Sequence, residues 1–161
     1  MKSSSSWRLE TPLAKAAWAA RVLFFAALGV PLLLRLVKLP DLRSWLEPRR
    51  EAPPLTDPAA VQTLVRRVDR LRTLGRPVVR SGCLTRGLTL YYVLRRAGAD
   101  VSLRFGMGKA EDEIAGHCWL VFAGEPLAEK RDPRLLYVET YSISRLGTPD
   151  RPAVTAAAEA R

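Results

Sequence analysis

Cys83 and His117 are the residues of this 161-residue chain whose types and spacing suit nucleophilic chemistry. A thiolate is the reactive form of cysteine, and the first turn of a helix favours it through unpaired N–H groups and the positive dipole end. The stretch Ser81-Gly82-Cys83-Leu84-Thr85-Arg86-Gly87-Leu88 puts Cys83 at such a start, with Ser81 as the expected N-cap. Packing is the commoner fate of a lone cysteine, so Cys83 by itself decides little. His117 is the sole histidine, and any imidazole chemistry must use it. It follows Gly116 and begins the apolar run His117 to Phe122. Strand alternation there puts His117, Trp119 and Val121 on one face and Cys118 on the other, so Cys118 reads as core.

A third group would orient the imidazole and stabilise its charged form. Glu125, Glu129 and Asp132 are the candidates. A hairpin through Gly124 brings a third strand, Leu127 to Glu129, back beside Cys118 and His117, which favours Glu129. Glu125 then sits at the far turn, and Asp132 is the reserve. Glu111, Asp112 and Glu113 read as a solvated loop. Two cysteines and one histidine cannot close a four-ligand structural zinc site, and no motif asks for a metal or another cofactor. Two cysteines also make no disulfide framework, and no cleavable secretory signal is evident, which points to a reducing, cytoplasmic setting.

The elements that must position these groups follow in order. Residues 1–12 are polar and serine-rich and read as disordered. Residues 13–46 form an apolar helical segment, with Pro31 expected to kink or end its first helix. Its uncharged core, Val22 to Leu34, is short for a bilayer span. It is read first as amphipathic helices packed on the domain or a partner. Membrane contact through residues 13–38 and a true span are the alternatives. Residues 47–58, rich in proline and charge, read as a linker. The core, residues 59–146, opens with a helix capped by Asp57 and stopped at Gly75, its apolar stripe running from Val61 to Leu74. The Cys83 helix follows and ends at Gly98, with Gly87 reserved for close packing. Val101 to Met107 alternates as a strand. Gly108 to Gly116 reads as a loop, His117 to Phe122 as a central strand and Leu135 to Tyr141 as a further one. Residues 147–161 read as a disordered tail.

The net charge of +10 comes mostly from arginine, with Arg66, Arg67, Arg70, Arg72, Arg76 and Arg80 close together. Such a balance suits an acidic partner or an anionic surface, and a solvated arginine-rich helix face accounts for it as well. No aromatic and basic platform accompanies it, so nucleic acid is not an expected partner.

The order cysteine, helix, strand, histidine, strand, acid resembles the transglutaminase-like cysteine-protease fold. In detail, SGCLTRGLTLYYVLRRAGADVSLRFGMG followed by GHCWLVFAGEPLAE resembles the leader peptidase family of lasso-peptide biosynthesis, also described as the microcin-processing protein C-terminal domain. The matching pieces are Cys83-Leu84-Thr85-Arg86, Arg95-Arg96-Ala97-Gly98, Gly106, His117-Cys118-Trp119 and Glu129, across about residues 64–141. Two departures stand out: Glu129 replaces the commoner Asp, and Cys118 replaces a small residue. The resemblance implies a small α+β, papain-like core of helices on an antiparallel sheet, with N-terminal apolar helices outside it. It implies Cys83 as nucleophile, His117 as general base and then acid, Glu129 as orienting carboxylate, and the Cys83 N–H in the oxyanion hole. The implied reaction removes the leader from a ribosomally made precursor peptide. The implied partners are a separate leader-recognition protein and a macrolactam cyclase.

Overall fold

The computed structural model describes residues 11–50, 52–76, 78–110 and 113–144. The stretches read from sequence as disordered termini lie largely outside these residues, as do Glu111 and Asp112. The described chain is α+β: helices packed on a four-stranded antiparallel sheet, preceded by an apolar helix.

That helix begins at α1 (Pro12–Phe24), where the Thr11 hydroxyl accepts from the Ala14 N–H. It passes through a π-helical turn, Phe25–Gly29, into α2 (Val30–Leu36). Pro31 therefore does not end the helix. Proline lacks an N–H and crowds the carbonyl four residues back. Here the wider turn just before it absorbs the conflict, with the Val30 N–H donating to the Phe25 carbonyl, five residues back. α3 (Leu39–Leu46) follows. The proline-rich stretch after it lies against the domain. Glu47 is buried, and the Leu55 N–H donates to the Gly98 carbonyl at 2.9 Å.

α4 (Pro58–Leu74) starts where the Asp57 carboxylate accepts from the Ala59 and Ala60 N–H groups, and it stops at Gly75. Val61, Leu64, Val65 and Val68 form its buried stripe, at the spacing of one helix face. α5 (Cys83–Arg96) is the central helix, packed against α4 and against strands β1 (Val101–Ala110) and β2 (Glu113–Phe122). Its N-cap is Gly82, not Ser81. Gly82 has φ of 151°, a conformation glycine adopts and other residues avoid, so no side chain caps the first turn. The other end closes at Gly98, with φ of 89° and Ala99 donating back to Leu94.

The strand order is β3-β2-β1-β4, with β3 (Glu125–Leu127) at one edge and β4 (Val138–Ile143) at the other. β2, apolar on both faces, is interior. Three sequence expectations need correction. The loop expected at 108–116 is largely strand: pairing continues through Gly108↔Ala115 and Lys109↔Ile114 to Ala110↔Glu113. Antiparallel backbone pairing satisfies the N–H and C=O groups of polar residues as well as apolar ones, so polarity misled the reading. The third strand is Glu125–Leu127 and stops before Glu129, because Ala128 turns left-handed at φ of 56°. The last strand starts at Val138, because Asp132 accepts from the Arg134 N–H and Pro133–Leu135 form a 3-10 turn instead.

Candidate active site

α5 presents Cys83 at its first position and Arg86 one turn later. Cys83 is half-buried, and its neighbour Cys118 lies on the sheet face beneath α5. Gly87 makes that closeness possible: a Cβ there would stand 3.0 Å from Cys118 Sγ and from Leu103 Cδ1. Burial pushes the Cys118 thiol well above its ordinary range, and the nearby Cys83 adds to it. Cys118 is thus held as a neutral packing group.

His117 pairs with Gly106 across β1 and β2, on the alternate face from Cys118. Its ring lies near those of Trp119, at 6.2 Å between centroids, and Tyr137, at 5.1 Å. Gly106 leaves room for that arrangement, since a Cβ there would meet the Trp119 ring at 2.9 Å. The indole of Trp119 is buried and its N–H has no hydrogen-bond partner among the described residues.

Glu129 meets His117 past the end of β3. A continued hairpin would set Glu129 opposite Cys118, since Leu120 pairs with Leu127, and directly opposed residues share a face. The left-handed turn at Ala128 breaks that register, and Glu129 Oε2 stands 3.3 Å from His117 Nε2. In the tautomer that donates from Nε2 to the carboxylate, Nδ1 is the nitrogen left to act as a base. The other oxygen, Oε1, accepts from Arg86 Nη1 at 3.2 Å.

Arg86 joins three elements. Its Nε and Nη2 each donate to Asp69 of α4 at 3.0 Å, and Nη2 also donates to the Ala128 carbonyl at 3.3 Å. Burial draws the guanidinium pKa down, but the hydrogen bonds and charges of Asp69 and Glu129 outweigh it, and the net shift is upward. A lasting positive charge therefore faces Glu129. Asp69, Arg86, His117, Glu129, Lys130 and Tyr137 line an open cleft of about 640 Å³.

Of the residues expected from sequence, His117 and Glu129 come together. Cys83 makes its contact with Cys118, and no hydrogen bond joins it to His117 among the described residues. Glu125 and Asp132 are both held by Arg134, at 2.9 and 2.7 Å. The hydrogen bond from Arg134 lowers the Asp132 pKa. Sequence reasoning missed Asp69 and Tyr137. Asp69 left a signal, being the sole acid in the arginine-rich helix Pro58–Leu74. Among the described residues, no group of three or more His, Cys, Asp or Glu side chains is placed to hold a metal ion.

Compared with known protein families, residues 26–142 match the model of the transglutaminase-like superfamily. Comparison with curated proteins and with solved structures gives no match.

Proposed function

The chain belongs to the transglutaminase-like superfamily, whose domains commonly have cysteine protease activity, and on that premise we propose a cysteine peptidase that removes the leader of a lasso-type precursor. The carrying observation is the His117–Glu129 pair: Nε2 is occupied by a carboxylate that Arg86 holds, so Nδ1 is the nitrogen free to serve a thiol. The chemistry then runs through residues of this chain. Cys83 gives its proton to His117 Nδ1 and attacks the scissile carbonyl carbon. The oxyanion is met by the Cys83 N–H, in a helix turn that no side chain caps. His117 returns the proton to the departing amine, leaving a thioester on Cys83. Water, deprotonated by His117, then hydrolyses the thioester. Glu129 orients the ring and stabilises its charged form throughout.

The lasso-type substrate rests on the ordered motif from Cys83 to Glu129. A separate recognition protein would present the leader, and a macrolactam cyclase would act on the trimmed product. One observation favours a second reading, a scaffold that binds peptide without cleaving it: His117 bonds Glu129, and among the described residues no hydrogen bond joins it to the Cys83 thiol.

The deciding experiment incubates the chain with a lasso-type precursor and its recognition protein, and follows leader release by mass spectrometry. Cleavage by the wild type is expected, with Cys83→Ala inactive and His117→Ala slowed by about 100- to 10,000-fold. Leader release that survives Cys83→Ala sinks the peptidase assignment. Precursor binding with no cleavage by the wild type establishes the scaffold.

A further inference from the structure

The helix Pro12–Leu36 has two faces with different environments. Val22, Ala26 and Val30 are buried, and Phe25 stacks on Tyr92 of α5 with centroids 3.9 Å apart. The other side carries Leu13, Phe24, Leu28, Leu32 and Leu36, all between 57 and 79 % exposed. Only 17 % of its most apolar 18-residue window is buried, in a helix long and apolar enough by composition to cross a membrane. A continuous apolar surface of this size marks a place where something else binds.

The charges identify the occupant. From Thr11 to Pro40 the charged residues are Lys15, Arg21, Arg35 and Lys38, and all four are exposed. No acid stands among them; Glu10 precedes the stretch and Asp41 follows it. Trp45 is also exposed, at the rim of an apolar groove with Leu32, Leu33 and Leu36. Exposed leucines and a phenylalanine, four cations against one acid (Asp41, which lines the groove), and an exposed tryptophan form the chemistry of an anionic lipid interface.

We propose that the helix Pro12–Leu36 lies in the plane of an anionic membrane surface, its leucine face among the acyl chains and its cations among the headgroups. A transmembrane path conflicts with the packing. Val22, Ala26 and Val30 are committed to the domain, and Arg96 stacks over the same Tyr92 at 3.5 Å, so a span would carry charged protein into hydrocarbon or strip the helix away. The proposal is independent of the catalytic reading.

The test is flotation of the full chain with vesicles of phosphatidylcholine alone or mixed with phosphatidylglycerol. Binding to the mixed vesicles, weakened by salt, is expected. The double variant Phe24→Glu/Leu28→Glu alters only exposed side chains and should keep the wild-type circular dichroism while losing about tenfold or more of the partitioning. Arg21→Glu/Arg35→Glu should lose the preference for phosphatidylglycerol. Three results overturn the proposal. A folded, monomeric chain that floats with neither vesicle binds no lipid. Equal flotation with both that resists high salt and alkaline washing identifies a span. Lipid-free self-association abolished by Phe24→Glu/Leu28→Glu identifies a second copy as the occupant.

Discussion

Gly87 sets the distance between α5 and the sheet. A methyl group there would press on Cys118 and Leu103, both buried and unable to retreat. Alanine improves helix propensity by about 1 kcal/mol, but the overpacking costs about 1–3 kcal/mol. Gly87→Ala is therefore expected to be net destabilising in urea titration. Adding Cys118→Ala removes the sulfur in the way and should relieve that part of the strain, leaving the Leu103 contact. At this scale the sequence was legible where scarcity and alternation spoke. A single histidine and the parity of β2 were enough to separate His117 from Cys118. The hold of Arg86 on Glu129 was not legible, because Asp69, Arg86 and Glu129 lie on three elements and meet only through tertiary packing.

Among the elements, the join between α3 and α5 is made by buried charge. Glu47 accepts from Arg95 at 3.1 and 3.0 Å and from the Tyr91 hydroxyl, while Arg96 donates to the Leu46 carbonyl at 2.7 Å. The side chains of Glu47 and Arg95 are each only 7 % exposed. Removing one partner of such a pair strands the other, so Glu47→Ala should cost about 3–5 kcal/mol by denaturant unfolding. Replacing Glu47, Arg95 and Tyr91 together by apolar residues should cost far less. The helix ends at Asp57, Gly75 and Gly98 were read correctly, because those residues act through local backbone chemistry, whereas Ser81 and Pro31 were not the cap and stop they resembled. Strand ends were the worst. β1 and β2 run on through polar residues because each supplies the other's hydrogen bonds, and β3 stops where a single residue, Ala128, changes hand.

For the whole molecule, burial of neutral acids sets a stability limit on the alkaline side. Burial raises Cys118 above its ordinary 9.0 and Tyr91 above its ordinary 10.0. The unfolded chain releases these protons first, so their contribution is complete below pH 9.0 and is lost as pH rises toward the folded values. Unfolding free energy is expected to decline above that pH, by about 1.4 kcal/mol per pH unit for each group fully engaged. Cys118→Ala should delay the onset toward the tyrosine range. The α+β class could be read from the order of patterns along the chain. The length of the first helix could not, because Pro31 signals a stop that the π turn overrides. That turn has a geometric consequence. Residues four apart on an α-helix drift by about 40° per step, so a long apolar row winds around its axis. A turn closed five residues back rotates less per residue and reverses the drift. Phe25–Gly29 thus acts as a phase correction that keeps Leu28, Leu32 and Leu36 in line with Phe24, and deleting one residue there would rotate the second half of the row out of the plane of the first.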